Sequence, residues 1–283
     1  VVKTINDKGS NPIDISSASL ISGTISNVLE IVQNTNATFT TAPNYAITIS
    51  DAASASDINI VAGDTSGVVT ATIADGAVTA TLNAIGNVAT TDTISFTTTD
   101  TTVDASDFNA LALKVDTFIT TSVTGAVTEV AATVTGDNAV GVVAALTSLG
   151  SDNAAIITGA ISAANADAIA DATSGIVTAA ISADTAAALN SALVDAGSQV
   201  NNYTLTVNGT TATALDLTEL DTKTNGAITI SSSSGFDVNM SSGETLNLSG
   251  FTNSVTGGNL TINDSTGNEN ITGTTGDDIV NLT

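Results

Sequence analysis

The residues best suited to chemistry lie near the C-terminal end, where glycine and acidic side chains recur with a period of nine. Residues 264–272 read DSTGNENIT and residues 273–281 read GTTGDDIVN, so a glycine, an acidic residue and an apolar residue fall at matching places. Glycine permits a tight turn with positive φ. Carboxylate and carbonyl oxygens are the hard ligands that Ca²⁺ prefers. The pattern therefore predicts turns with the chemistry to hold a divalent cation.

The rest of the composition excludes most other catalytic chemistry. The 283 residues include no Cys, His, Arg or Trp and only four Lys, against 28 acidic residues, which gives a formal net charge of −24. Without Cys or His there is no thiol or imidazole catalysis and no zinc site of the usual ligand type. Paired carboxylates for glycoside hydrolysis stay open. Because clustered basic residues are absent, nucleic acid and anionic membrane surfaces are not expected partners.

The apolar residues are small and evenly spread. They make up 42% of the chain, with only 3% aromatic, and the mean hydropathy is +0.33. Disorder is therefore not expected. No stretch reaches the roughly 18 apolar residues of a membrane-spanning helix, so no transmembrane segment is predicted. The chain begins without Met and ends in a strand-like run, so we expect a processed product or a segment of a longer protein.

The nine-residue spacing resembles the calcium-binding nonapeptide of RTX (repeats-in-toxin) proteins, written G-G-x-G-x-D-x-U-x with U apolar. Gly273, Gly276, Asp278 and Val280 match four of the five defined positions, and Thr274 replaces the second glycine. The resemblance implies a parallel β-roll in which the apolar U residue points inward and Ca²⁺ lies between successive turns.

The resemblance also implies a set of oxygen ligands. In the family, carbonyls from one turn and Asp from another coordinate the metal. The ligands expected here are Asp264, Glu269, Gly273, Thr275, Asp277 and Asp278. The upstream copy departs from the pattern, since Asp264 and Ser265 replace both leading glycines and Glu269 replaces the Asp. These departures leave open whether two imperfect turns bind Ca²⁺ by themselves.

Upstream of these turns, the chain repeats with a period of about fifty residues. In each copy an Asx or Ser/Thr residue precedes an apolar pair three residues apart, which predicts a capped helix with one buried stripe. In three copies a glycine follows, which predicts a left-handed C′ residue, and a β-branched run then predicts a strand. Four segments align without gaps, starting 50, 58 and 51 residues apart: DINIVAGDTSGVV from Asp57, DFNALALKVDTFI from Asp107, NADAIADATSGIV from Asn165 and DLTELDTKTNGAI from Asp216.

The predicted unit is strand, short helix, strand, short helix. Second helices are predicted at 125–134 and at 182–197, the latter capped by Ser182, and an inserted helix at 138–150 explains the longer spacing. Strands that alternate with helices favour parallel pairing through crossovers. Coils of about 20–30 residues cannot each hold a core, so they must stack on their neighbours. A doubly wound globular α/β domain stays open as the alternative, although no Gly-rich phosphate loop follows any strand.

The fold class predicted from this pattern is a right-handed α/β solenoid, with parallel strands and short helices, that passes into an all-β parallel β-helix or β-roll. Residues 1–43 are expected to be a capping or linking segment that contains an amphipathic helix at 17–35. Residues 44–232 are expected to form the solenoid. Residues 233–283 are expected to start the β-helix or RTX-like β-roll, because helical patterns disappear there and short period-2 runs replace them.

The Ala/Thr-rich repeats followed by an RTX-like run are similar to very large secreted bacterial surface proteins, including RTX-type adhesins and cyanobacterial surface-layer-like proteins. The resemblance implies a structural, non-enzymatic segment of a secreted, Ca²⁺-binding cell-surface protein that assembles into a surface layer, fibre or filament. Its expected location is extracellular, at the bacterial cell surface. Self-association is the expected partnership, and contact with glycan or the cell envelope is a second expectation.

Two other functions stay open. Alternating Thr at 204–208 and 96–100 could form flat rows on a sheet face, as in an adhesin that binds glycan or ice, although Thr is also simply a good strand former. A parallel β-helix lyase or hydrolase acting on acidic polysaccharide is the remote alternative. Lys114 and Lys223 occupy the same repeat position near a helix C-terminus, where a structural role is expected. No enzyme activity is predicted.

Overall fold

The computed structural model describes residues 13–33, 39–41, 43–134, 136–150, 152–194, 200–265, 270–274 and 278–281. The chain divides into two compact units, Val1–Thr124 and Gly125–Thr283. Each unit is α/β, with parallel sheets and short helices. This agrees with the predicted class at the level of α/β structure, parallel strands and short helices.

The first unit alternates strands with short helices. In chain order its elements are β1 Ile13–Ile15, β2 Leu20–Gly23, α1 Ile25–Val32, β3 Phe39–Thr41, β4 Ala46–Ala53, α2 Ala55–Asp64, β5 Val69–Ile73, α3 Val78–Ala84, β6 Thr93–Thr97, β7 Val103–Asp104, α4 Ala105–Ala112 and β8 Thr117–Ile119. Five of the strands form one sheet in the order β2, β4, β5, β6, β8, and β1 pairs with β3. Each of these pairings is parallel.

The second unit begins with the same alternation and ends in strands alone. In chain order its elements are β9 Ala126–Val134, α5 Gly136–Leu149, β10 Ala154–Ile161, α6 Ala163–Asp171, β11 Val177–Ile181, α7 Ala186–Ala192, β12 Asn202–Val207, β13 Thr211–Thr213, α8 Ala214–Lys223, β14 Ile228–Ser232, β15 Phe236–Asn239, β16 Thr245–Asn247, β17 Phe251–Val255, β18 Leu260–Asn263, β19 Asn270–Thr272 and β20 Asp278–Asn281. Parallel ladders run β9, β10, β11, β12, β14, β17, then β13, β15, β18, β20, and β16 with β19.

Strand pairing advances along the chain in nearly constant steps. In the first unit Thr70 pairs with Thr93, and Ser95 with Thr117. In the second unit Leu205 pairs with Ile228. These partners are 23, 22 and 23 residues apart, which is the length of one predicted strand–helix coil. The last step is shorter, since Leu260 pairs with Asp278, eighteen residues later and twice the nine-residue spacing read from the sequence.

The core follows the alternation of each strand and one stripe of each helix. On β5 Val69, Ala71 and Ile73 are buried, whereas the intervening Thr70 and Thr72 are exposed. The apolar pairs of the four aligned segments are each at most 2% exposed: Ile58 and Val61, Phe108 and Leu111, Ala166 and Ile169, Leu217 and Leu220. The repeat alignment therefore identified the helix positions that face the core.

The four aligned helices begin earlier than the sequence pattern predicted. Their N-caps are Ser54, Asp104, Ser162 and Thr213, each of which accepts the backbone N–H three residues later. The aligned Asx residues lie in the first turn. In two copies the cap hydroxyl also donates to the carboxylate of that residue, 2.7 Å from Asp57 and 2.7 Å from Asp216. The S/T-x-x-D pattern is thus a form of capping box, whose cap is its first residue.

Three other predictions of secondary structure were wrong. Residues 125–134 form strand β9 rather than a helix, because the Val and Thr that dominate this stretch prefer an extended backbone. The helix predicted at 17–35 is confined to 25–32, since 20–23 pair with β4 as strand β2. The helix predicted at 138–150 is confirmed as α5. The helix predicted at 182–197 is found at 186–192 among the described residues, and its cap is Thr185 rather than Ser182.

Candidate functional site

The predicted calcium turns are only partly described. Asp264, Gly273 and Asp278 lie within the described residues, whereas Glu269, Thr275 and Asp277 lie outside them. The carboxylate of Asp278 accepts hydrogen bonds from the backbone N–H of Thr274 at 2.6 Å and from the Thr274 hydroxyl at 3.0 Å. It also accepts one from the Asn253 side-chain amide at 3.3 Å. Asp278 thus holds both the backbone and the side chain of Thr274, four residues earlier in the chain.

Gly273, the residue before Thr274, also lies against Asp278. A Cβ atom at this position would collide with the carboxylate of Asp278. The glycine at the first position of the nonapeptide therefore makes room for the Asp at the sixth.

The described residues near 264–278 supply carboxylate oxygens of the kind that Ca²⁺ binds, but too few of them to complete its coordination. Its carboxylates are Asp264, which accepts the N–H of Ser265 at 2.8 Å, and Asp278. Among the described residues no group of three acidic side chains is close enough to hold a metal ion. Ca²⁺ takes six to eight oxygen ligands, so the described residues alone do not form its site. Calcium binding between residues 264 and 278 stays a prediction.

Polar side chains upstream are used for a different purpose, which is to join neighbouring coils. Three copies carry the sequence Thr-x-Gly directly after the first helix, at Thr65, Thr173 and Thr224. Each hydroxyl donates to a backbone carbonyl of the preceding coil, at 2.5, 2.5 and 2.7 Å. Each also accepts the N–H of its own glycine, at 3.0, 2.9 and 2.8 Å. The three turns are therefore the same structural device.

The glycines of these turns are required by close packing rather than by a left-handed backbone. Gly67, Gly175 and Gly226 have no positive φ, contrary to the prediction of a C′ cap. A Cβ atom on any of them would collide with the carbonyl of Tyr45, Asn153 or Tyr203, which lies in the preceding coil. The absence of a side chain lets adjacent coils approach each other at this corner.

Acidic and amide side chains that precede several strands also accept hydrogen bonds from the backbone of the preceding coil. The carboxylate of Asp92 accepts the N–H of Val69 at 2.8 Å, and the carboxylate of Asp116 accepts that of Ile94 at 2.9 Å. The amide oxygen of Asn201 accepts the N–H of Val177 at 2.9 Å. Asp92 is 5% exposed and accepts a second N–H from Ala89. Some of the acidic side chains of this chain therefore accept hydrogen bonds from backbone N–H groups.

The two repeat-related lysines have the structural role expected of them. Lys114 donates to the carbonyl of Val88 at 2.8 Å, just beyond α3. Lys223 donates to the carbonyl of Leu193, just beyond α7. A cation at the C-terminus of a helix is favoured by the unpaired carbonyls and the dipole. Lys223 thus binds the C-cap carbonyl of α7, whereas the carbonyl that Lys114 binds lies four residues beyond the end of α3.

A pocket of about 560 Å³ lies beside the turns at 208–210 and 231–234. Its lining consists of Ser, Thr, Asn and Gly, with no acidic or basic side chain, so it offers no group for proton transfer.

Within the described part of the chain, no helix is both long and apolar enough to span a bilayer. Comparisons with known protein families, curated proteins and solved structures give no match. The function therefore has to be inferred from the chemistry of these residues.

Sequence reasoning missed the Thr-x-Gly turn and the carboxylate acceptors, although one signal was visible. The eighth residue after each aligned Asx is Thr in three copies, and in the remaining copy it is Val115. In that copy the next residue, Asp116, accepts the backbone N–H of the preceding coil instead. The recurrence of Thr two residues before the glycine indicates a polar contact, but it does not say which residue of another coil is the partner.

Proposed function

We propose that this chain is a structural, non-enzymatic segment of a secreted, calcium-binding cell-surface protein that assembles into a surface layer, fibre or filament. In this proposal the parallel coils form a right-handed α/β solenoid that continues as a parallel β-helix or β-roll. Its place is outside the cell, at the bacterial surface. Contact with glycan or the cell envelope stays a prediction.

The observation that carries the proposal is the use made of the polar side chains. Thr65, Thr173, Thr224, Asp92 and Asp116 bond to the backbone of the neighbouring coil in the chain. A catalytic centre instead needs titratable groups that converge on a cavity. Hydrogen bonds repeated from coil to coil resist separation of the coils along the stack, which is the property a load-bearing or lattice-forming segment requires.

Two further features support assembly outside the cell. The five-stranded sheet is open, with β2 and β8 as its edge strands among the described residues, and strand edges are templates for pairing with another chain. A net charge of −24 makes copies repel each other unless cations screen or bridge them. Divalent cations are therefore natural regulators of self-association for this chain.

The test is sedimentation velocity on the whole chain over a wide range of concentration, in CaCl₂, in MgCl₂ at equal ionic strength, and in EDTA. The proposal expects concentration-dependent assemblies in CaCl₂ that dissociate in EDTA, and weaker association in MgCl₂. Negative-stain microscopy of the CaCl₂ sample should show sheets or filaments. A chain that stays monomeric at every concentration in all three buffers would contradict the proposal.

A further inference from the structure

Three dipeptides in this chain have the sequence that favours succinimide formation, a spontaneous reaction of the protein backbone. In this reaction the backbone nitrogen of a glycine attacks the side-chain carbonyl carbon of the Asn or Asp before it, because a residue without Cβ leaves that nitrogen accessible. The dipeptides are Asp75–Gly76, Asn208–Gly209 and Asn225–Gly226. The sequence does not distinguish the two Asn–Gly dipeptides from each other, so any difference between them has to come from the fold.

In two of the three dipeptides the glycine nitrogen is held by a hydrogen bond. The N–H of Gly76 donates to the carbonyl of Thr97 at 3.2 Å, and the N–H of Gly226 donates to the hydroxyl of Thr224 at 2.8 Å. This bond has to break before the nitrogen can turn toward the neighbouring side chain. Gly226 also packs so closely against the carbonyl of Tyr203 that a Cβ atom would collide with it. These two glycines are therefore poorly placed to react.

The dipeptide Asn208–Gly209 lacks these restraints. It lies in the short turn between β12 and β13, where Asn208 is half-buried and Gly209 is exposed. The N–H of Gly209 and the side-chain amide of Asn208 make no hydrogen bond to another described residue. Gly209 has a φ of +103°, and the nearest atom to a Cβ built on it would be 3.7 Å away, on Thr185. The described structure therefore leaves both reacting groups able to approach each other.

The side chain of Asn225 is restrained as well, which increases the contrast. Its side-chain amide donates to the carbonyl of Val200 at 3.3 Å, and its backbone N–H donates to the carbonyl of Asn201 at 2.8 Å. Asn225 is more exposed than Asn208. Exposure therefore favours the wrong dipeptide, and the difference in hydrogen bonding favours Asn208.

We propose that Asn208 is a site of spontaneous deamidation in the folded protein, through a succinimide with Gly209, and that the fold protects Asn225 from the same reaction. In the first step a bond forms between the Gly209 nitrogen and Cγ of Asn208, the attacking nitrogen loses its proton, and the side-chain nitrogen leaves as ammonia. In the second step water opens the ring at one of its two carbonyls and gives aspartate or isoaspartate. The reaction consumes only water.

Deamidation changes both the charge and the backbone at this turn. Asn208 lines the pocket whose other lining residues are Gly, Thr and Ser, so either product introduces a carboxylate among uncharged groups. Isoaspartate also adds one carbon atom to the main chain directly before Gly209. Two backbone bonds between coils flank this point, since Asn208 donates to Asp184 at 2.8 Å and Thr210 accepts from Asp237 at 2.8 Å. The modification therefore falls where the backbone joins neighbouring coils.

The experiment follows both Asn–Gly dipeptides in one sample of the whole chain. Wild type is incubated in mildly acidic and mildly alkaline buffers and digested with pepsin, and mass spectrometry detects the replacement of NH₂ by OH in the peptides that contain 208 or 225. We expect deamidation at Asn208 to be at least about tenfold faster than at Asn225. The rate should rise with pH, because the attacking nitrogen has to lose its proton. In guanidinium chloride, which unfolds the chain, the two rates should become similar.

Variants of Thr224 test the role of the hydrogen bond at Gly226. Thr224→Val removes the acceptor of the Gly226 N–H, so deamidation at Asn225 should rise while that at Asn208 stays unchanged. Thr224→Ser keeps the hydroxyl and should keep Asn225 protected. The comparison uses temperatures at which circular dichroism shows each variant to be folded.

Three results would overturn the proposal. The first is deamidation at Asn208 of the folded chain that is no faster than at Asn225. The second is an equal excess of Asn208 over Asn225 in guanidinium chloride, because the difference would then come from the flanking sequence. The third is a rate at Asn225 that is the same in Thr224→Val as in Thr224→Ser. If Thr224→Val does not fold, the comparison of folded with unfolded wild type still decides the matter. None of these outcomes depends on self-association or on calcium.

Discussion

At the scale of single residues, side chains that look dispensable in the sequence hold the backbone of neighbouring coils. Thr224 is 6% exposed, and its hydroxyl accepts the N–H groups of Tyr203 and Gly226, each at 2.8 Å, while it donates to the carbonyl of Tyr203 at 2.7 Å. A buried N–H without an acceptor costs about 1–3 kcal/mol. One hydroxyl therefore prevents more than one such loss.

Replacing Thr224→Val should destabilise the chain through these contacts. The substitution keeps the shape of the side chain but removes the acceptor of two N–H groups, so we expect a loss of about 1–3 kcal/mol or more in the free energy of unfolding. Thermal and urea unfolding followed by circular dichroism would measure it. Thr229→Val on the following strand is the control, because Thr229 is half-buried and its hydroxyl makes no hydrogen bond to another described residue. Equal effects of the two substitutions would show that the turn contacts contribute nothing.

At the scale of elements, the short helices depend on their caps because they are close to the minimum length. The eight described helices have 7–14 residues, and isolated helices below about 12 residues are marginal in water. Their stability comes from burying one stripe against the sheet and from satisfying their free N–H groups at the first turn. A capping residue therefore matters more here than in a long helix.

Ser162→Ala should weaken α6. Ser162 accepts the N–H of Asn165 at 3.2 Å, and loss of a serine cap typically costs about 1 kcal/mol. We expect a lower melting temperature and faster amide hydrogen exchange at 163–171. The control is Ser191→Ala, which makes the same chemical change at an exposed position inside α7. An unchanged exchange rate in α6 would contradict a capping role for Ser162.

At the scale of the whole molecule, the excess of negative charge makes two modes of calcium binding possible. A chain of net charge −24 attracts Ca²⁺ non-specifically, and salt screens that attraction. A site of defined geometry would instead persist at high ionic strength. The predicted ligands between 264 and 278 therefore have to be tested against this background.

Asp278→Asn should abolish saturable calcium binding if the nonapeptide turns form a site. Isothermal titration of the whole chain with CaCl₂ in about 0.15 M NaCl, where the Debye length is about 8 Å, should show saturation in wild type and its loss in the variant. Asp237→Asn is the control, because Asp237 is exposed on β15, in the same sheet, and outside the turns. Saturable binding that survives in Asp278→Asn would move the site elsewhere. The melting temperature in EDTA separates loss of metal from loss of the Thr274 contacts.

The sequence by itself determined the local and repeated features of this protein. The period of about fifty residues, the buried pairs such as Ile58 with Val61, and most strands follow from patterns within ten or so neighbouring residues. Residues 125–134 escaped this reasoning, because a run of Ala, Val and Thr has no strong helical or alternating period.

Only the tertiary structure decided what each polar residue binds. Thr224 bonds to Tyr203, Asp92 to Val69 and Lys114 to Val88, and each pair is joined across 21–26 residues of chain. Such partners depend on the register of parallel coils, which a single sequence does not state. For the same reason, Thr48, Thr70 and Thr93 form a row across the sheet only because their strands pair in register. Local pattern selects the element, whereas register between coils selects the contact.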